Sequence, residues 1–333
     1  MPELRKDPIV DRWVIISEER AHRPGDFPSP TQAQQTHFCP FCHGNEDKTP
    51  HELLVIPPGR PPNQPGWSLR VVPNKFPALR IEGELNRVGE GMFDRMSGIG
   101  AHEVIIEHPD HRLALEQCSE QNIADALWAF QQRVLDLQKD RRFRYIMIFK
   151  NHGEAAGATL EHTHSQLIAL PIIPELVQEE LAGSRRHYEY KERCIFCDMI
   201  AQERGDGRRI ALENQNFIAV CPYAPRFPFE TWILPKYHLA RFEQESQENF
   251  RQAASLLKAL LLKMRGALKA PPYNLVLHTS PINGNHEAYY HWHIEVMPKL
   301  TKLAGFEEGS GFYINPVPPE TAAELLRRTP HQP

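Results

Sequence analysis

Between Asn151 and Gln166 the chain carries groups suited to moving a phosphoryl or nucleotidyl group. Gly153 and Gly157, set among small residues, make a loop whose backbone N–H groups can approach a phosphate closely, and Thr159 adds a hydroxyl donor. Along an extended strand, residues two apart share a face, so His162, His164 and Gln166 point together. Imidazole is largely unprotonated near neutral pH and is a competent in-line nucleophile at phosphorus, and its phosphoramidate can pass the group on. Gln166 offers an amide donor to charged phosphoryl oxygens. An isolated histidine is usually a satisfied core residue; the glycines, threonine and glutamine around His164 argue for chemistry instead.

Metal ligation is the second chemistry on offer. Four of the six cysteines form two Cys-x-x-Cys pairs, Cys39/Cys42 and Cys194/Cys197. Zinc takes four thiolate or imidazole ligands in a tetrahedron, and a tight turn turns side chains three apart onto one ion. Repetition along the chain suggests the remaining ligands, giving Cys39, Cys42, His111 and His162 as one set and Cys194, Cys197, His238 and His291 as the other. Each set is Cys2His2 and coordinatively closed, the pattern of a structural site. A redox dithiol is the alternative for one pair alone; two matched pairs with two histidines in register favour metal. Zinc is expected at both sites, with iron a competitor at the second. Cys118 and Cys221 have no partner pattern and read as small buried apolar residues.

The elements that position these groups occur twice. Glu103, His111 and Ser119 recur as Glu230, His238 and Ser246 at a constant offset of 127. The cysteine pairs are offset by 155 and the His-x-His pairs by 129. Helices are expected after Ser119, with Ile123, Leu127, Phe130, Val134 and Leu137 on one face, and after Ser246, with Phe250, Leu257, Leu261 and Met264. Strands are expected at 13–17, 69–72, 103–107, 145–150, 217–220, 231–234 and 273–277. This predicts a duplicated α+β unit, each copy an antiparallel sheet with a long helix packed on it, divided into 1–180 and 181–333. The first copy is 28 residues longer between its cysteine pair and its histidine. That length lies in a proline-rich stretch near 57–65 and a glycine-rich one near 89–100. In the second copy Glu295 replaces Gln166, and no glycine loop precedes His291. A carboxylate repels a phosphate, so the second copy is expected to be catalytically silent.

Composition sets outer limits. The 333 residues suggest about two domains, and 41% hydrophobic with 24% charged residues is ordinary for a globular chain. No run of about 18 apolar residues appears, and the first residues lack an apolar core, so a cytoplasmic protein is expected. A net charge of −4 without basic runs argues against nucleic acid and acidic membranes as partners.

These motifs resemble those of the galactose-1-phosphate uridylyltransferase family, a duplicated branch of the histidine triad superfamily, over nearly the whole chain. The resemblance rests on Asn151-x-Gly153, Gly157, Thr159 and His162-x-His164-x-Gln166. It implies that His164 carries a covalent nucleotidyl group and that Gln166 holds its phosphate. It further implies that Arg20 and Arg23 contact phosphate, that Asn74 contacts the nucleotide, and that Lys302, Phe306 and Glu307 meet the sugar from a neighbouring subunit of a homodimer. Three departures stand out: Thr163 replaces a common proline between the histidines, the 309–313 segment lacks a glutamine for the sugar hydroxyls, and Cys194/Cys197 resemble the branch that includes an ADP-glucose phosphorylase.

The expected activity is transfer of UMP from UDP-glucose to galactose 1-phosphate by a ping-pong route. Alternatives are an ADP-glucose phosphorylase or adenylyltransferase of the same family, a nucleotide hydrolase, and a non-enzymatic double zinc module.

Overall fold

A computed structural model describes residues 2–6, 13–16 and 38–330, so Arg20 and Arg23 lie outside the described residues. The strands are β1 (Glu3–Lys6), β2 (Trp13–Ile16), β3 (Leu54–Ile56), β4 (Leu69–Pro73), β5 (Val88–Glu90), β6 (Phe93–Ser97), β7 (Ala101–Ile106), β8 (Tyr145–His152), β9 (His164–Leu170), β10 (Ile210–Glu213), β11 (Phe217–Val220), β12 (Thr231–Pro235), β13 (Tyr273–His278) and β14 (His293–Pro298). The helices are α1 (Glu120–Leu137), α2 (Glu175–Lys191), α3 (Ile195–Asp206), α4 (Gln247–Leu268), α5 (Gly305–Ser310) and α6 (Pro319–Arg328). None is long and apolar enough to cross a membrane.

Ten strands form one sheet in the order β10-β11-β12-β14-β13-β8-β9-β7-β4-β3. Read outward from the central β13–β8 pair, the two halves repeat the same order, so the duplication is written into the sheet. The two expected sheets are therefore fused: β8 and β13 pair antiparallel, Asn151 opposite Asn274 and Phe149 opposite Val276.

Both long helices start where serine caps them. The Ser119 hydroxyl accepts the Asn122 N–H, and Ser246 accepts that of Asn249. Their apolar stripes cover one face of the sheet and pack with Ile105, Ile148, Leu167, Ile233, Leu277 and Ile294 into a single core. Arg133 of α1 forms a two-pronged ion pair with Glu103 of β7, at 2.7 and 2.8 Å. Gln131 of α1 reaches across to the carbonyls of Glu243 and Glu245 in the other half. α2 carries the chain from one half to the other across residue 180.

Two details depart from the ungapped repeat. The glycine-rich insertion forms the β5–β6 hairpin, which joins β1 and β2 in a second, four-stranded sheet. The strand before the histidine corner is also shifted by one residue. Val104 lies opposite Gln166 in the first half, whereas Trp232 lies opposite Glu295 in the second. Ile105 and Ile233 thus share the helix side, an offset of 128 rather than 127, and Glu230 corresponds to His102 rather than to Glu103. The chain recovers the offset of 127 before His111 and His238.

Candidate active site and metal centres

β9 places His164 and Gln166 on the sheet face away from α1 and α4, while Ser165 and Leu167 face the helices. Both are buried, and Phe41 packs edge-on against the His164 ring, centroids 5.4 Å apart. His164 Nδ1 lies 2.7 Å from the His162 carbonyl oxygen. A carbonyl only accepts, so Nδ1 carries the hydrogen and Nε2 keeps the free lone pair, as a nucleophile requires. Burial, helped by the Lys150 charge, lowers the pKa of the ring to about 4, so it is neutral at physiological pH.

Beneath His164 lies a buried polar network. Lys150 Nζ donates to Glu107 at 2.6 Å, and to the Thr163 hydroxyl and the His164 carbonyl at 2.9 Å each. Thr163 and Ser165 both donate to the Glu107 carboxylate. Thr163 therefore fixes by hydrogen bonding a strand that a proline would have fixed by its ring. Burial disfavours the Glu107 carboxylate, but the Lys150 charge and the donors of Lys150, Ser165 and Thr163 outweigh it and hold the group below its usual range. A depressed carboxylate stabilises the fold above its ordinary pKa, and that contribution is lost as pH falls through the depressed value. Lys150→Met removes the compensating charge and is expected to cost about 3–5 kcal/mol near neutral pH. In the variant the burial penalty prevails, so Glu107 takes up a proton more readily. The melting-temperature gap to wild type should be wide at pH 8 and narrower at pH 5; a gap independent of pH would contradict this.

The loop before His162 is shaped as its glycines predict. Gly153 has φ +80° and Gly157 φ +86°, flanking a short 3-10 turn, Glu154–Ala156. A Cβ on Gly153 would meet Pro272 at 2.8 Å. Asn151 sits on β8, its Oδ1 accepting from Asn274, whose amide also donates to the Ala156 carbonyl. Thr159 is exposed on the same loop. Asn74 follows β4, and its Nδ2 lies 3.1 Å from His102, a neighbour of Gln166. Lys302, Phe306 and Glu307 are not gathered with them. Lys302 lies just before α5 and Phe306 and Glu307 lie on it, with Lys302 and Phe306 exposed, and the chain beyond α5 continues along the second half through Phe227–Tyr313 and Asn315–Pro225 contacts.

The structure gathers each of the two Cys2His2 sets into a cluster. In each, one atom from every residue lies within 4.8 Å of all the others. Cys39 to His162, Cys42 to His162 and Cys42 to His111 measure 3.7, 3.7 and 3.6 Å. Cys194 to His291, Cys197 to His291 and Cys197 to His238 measure 4.0, 3.7 and 3.5 Å. A zinc tetrahedron with ordinary Zn–S and Zn–N bonds has S···N edges of about 3.6 Å, so these donors fit that ion. Every one of these imidazoles turns Nδ1 toward the sulfurs. The far nitrogens of His162, His238 and His291 meet the carbonyls of His108, Glu287 and Pro235, which orients the rings. Cys118 and Cys221 are buried in the core.

Sequence reasoning missed several neighbours. Glu107, Lys150, His102 and Asn274 belong to no motif. A third group, Glu180, His278 and His293, also brings three ligand atoms within 4.8 Å of one another. His293 repeats the posture of His164, with Nδ1 at the His291 carbonyl, but its Nε2 faces Glu180 at 3.2 Å and its ring stacks on His278. Glu295, in the place of Gln166, is bound by Arg226. The second-half counterparts of His164 and Gln166 are therefore engaged by Glu180 and by Arg226.

Comparison with known proteins follows the same lines. Residues 1–174 match the family model described as galactose-1-phosphate uridyl transferase, N-terminal domain, and residues 121–329 match a domain of unknown function, DUF4921. The chain is 37% identical to an ADP-glucose phosphorylase of Arabidopsis thaliana, over 98% of this chain and 92% of that one. It is 31% identical to a galactose-1-phosphate uridylyltransferase of Thermotoga maritima, over 99% of both. A crystal structure of the Arabidopsis thaliana ADP-glucose phosphorylase with bound ADP-glucose superimposes with TM-score 0.78 at 35% identity, covering 98% of this chain and 99% of that one. A uridylyltransferase structure superimposes with TM-score 0.81 at 26% identity, covering 98% of each.

Proposed function

Because this chain belongs to the galactose-1-phosphate uridylyltransferase family, we propose that it transfers UMP from UDP-glucose to galactose 1-phosphate through a nucleotidyl group held on His164. The observation that carries the reading is the buried neutral imidazole of His164, its Nδ1 tied to a carbonyl and Gln166 beside it on the same face. In the first step Nε2 attacks the α-phosphorus, an Nε2–P bond forms, and the bond to the bridging oxygen breaks to release glucose 1-phosphate. In the second, a phosphate oxygen of galactose 1-phosphate attacks the same phosphorus, Nε2 leaves, and UDP-galactose departs. The acceptor is already anionic, so neither step needs a proton moved. Gln166 donates to the equatorial oxygens, where charge builds. The Gly153–Thr159 loop, Asn151, Asn74, Arg20 and Arg23 bind the nucleotide and its phosphates. Lys302, Phe306 and Glu307 serve the sugar site of a second subunit in a homodimer, in the cytoplasm.

Zinc is the ion assigned to Cys39, Cys42, His111 and His162 and to Cys194, Cys197, His238 and His291, the second set also accepting iron. When bound, it ties distant chain segments together. Because His162 is a ligand and its carbonyl holds His164, the first site also fixes the nucleophile.

A second reading keeps the chemistry and changes the partners: adenylyl transfer from ADP-glucose to inorganic phosphate. The 37% identity to an ADP-glucose phosphorylase favours it. Half-reaction exchange separates the two. Labelled glucose 1-phosphate should exchange into UDP-glucose, and galactose 1-phosphate should discharge the labelled enzyme. Exchange with ADP-glucose alone, with discharge by phosphate, would establish the second reading. Nucleotide release with no acceptor present would indicate hydrolysis.

A further inference from the structure

We propose that His102 is a positioning residue that locks the Gln166 amide with its oxygen turned away from the phosphoryl group and its hydrogens available to it. This rests on the reading that His164 carries the nucleotidyl group.

His102 lies on β7 two residues before Val104, the residue opposite Gln166, so the two side chains are diagonal neighbours on one sheet face. It is 5% exposed. Its ring is fixed from behind, where the Ala78 N–H donates to Nδ1 at 3.1 Å. With Nδ1 accepting, a neutral imidazole must carry its hydrogen on Nε2. That nitrogen lies 3.0 Å from Gln166 Oε1 and 3.1 Å from Asn74 Nδ2; an amide nitrogen cannot accept, so of these two neighbours only the Gln166 oxygen can take the Nε2 hydrogen. The remaining polar atoms of Gln166 are its two amide hydrogens. Without this donor the amide gains a second orientation, rotated by half a turn, with oxygen facing the phosphoryl oxygens. Its lone pairs would then oppose the charge that the hydrogens are meant to stabilise.

The same histidine organises the neighbouring nucleotide segment. The Asn74 N–H donates to the His102 carbonyl at 2.8 Å, and Asn74 Oδ1 accepts the Phe76 N–H. The second half supplies an internal control. By strand register, Glu230 occupies the His102 position and Glu295 the Gln166 position, and Arg226 binds both carboxylates. Where the glutamine is gone, the histidine that would hold it is gone too.

The test is a double-mutant cycle read by single-turnover labelling of the enzyme with α-labelled UDP-glucose and ADP-glucose. His102→Leu should slow labelling by about 10- to 100-fold, with KM for the nucleotide sugar changed much less. His102→Gln can place an N–H near the position of Nε2 and should recover most of the rate, with zinc content unchanged. Gln166→Ala should lose a similar factor, and the double variant His102→Leu/Gln166→Ala should be no slower than Gln166→Ala alone. Multiplying losses in the double variant, or no recovery with His102→Gln, would overturn the role of His102. Absence of label on the wild-type protein would overturn the nucleotidyl-histidine reading itself, and this role with it.

Discussion

His164→Ala retains no label after incubation with the α-labelled nucleotide sugar and denaturation, and its exchange rate falls by at least about 10⁴-fold, the scale on which an enzyme loses its covalent nucleophile. The substitution removes the acceptor atom while leaving its setting in place. The backbone carbonyl of His164 still accepts from Lys150, and the strand stays paired with β7 and β8. Melting temperature and zinc content should therefore stay near wild type, so the loss cannot be assigned to misfolding. The second half offers no substitute, because His293 Nε2 faces the Glu180 carboxylate. His293→Gln should accordingly keep its label. Equal labelling of His164→Ala and wild type would rule out His164 as the carrier.

Removing the first metal site is expected to have the next largest effect. Cys39→Ser should lower bound zinc from two to one per chain by elemental analysis and lower the melting temperature by roughly 10 °C, corresponding to several kcal/mol. Its four ligands come from segments far apart in sequence, and Phe41, between the two cysteines, packs on His164. Labelling should fall with the metal. The pH sense follows from the ligands. Without a cation, burial holds the Cys39 thiol up near 11 and the His162 ring down near 4. Binding must displace thiol protons, so affinity rises with pH, and acid combined with a chelator should strip the site sooner than a chelator at pH 8. A Cys39→Ser protein with two zinc ions and an unchanged melting point would show that these residues are not ligands.

What could be read from the sequence divides along physical lines. Cysteine pairs and His-x-His pairs are rare, locally spaced and chemically distinct, so the ligand sets were visible without a fold. The helices were visible because an apolar stripe with period 3.6 follows a capping serine in each. Diagonal contacts across a sheet leave no such trace. His102, Lys150, Glu107 and Asn274 look like ordinary strand residues until register is known. The shift that sets Glu230 against His102 was hidden because the flanking landmarks keep their spacing while the strand between them slips. The fusion of two sheets into one was equally hidden, since β8 and β13 read as interior strands whichever neighbour they take. α2, polar on most of its surface, had too little periodicity to announce itself, and with it went the Glu180 cluster.

The β8–β13 seam bears on how the chain can be cut. Asn274 and Pro272 stand beside the Gly153–Gly157 loop next to the proposed nucleophile, and both come from the second half. A fragment ending near residue 180 would keep every residue of the proposed nucleophile motif. It would also turn β8 from a central strand into a bare margin with unpaired backbone groups, inviting another such margin to zip onto it. Such a fragment is expected to be recovered as aggregates or as swapped dimers, and supplying residues 181–333 in trans should be the remedy.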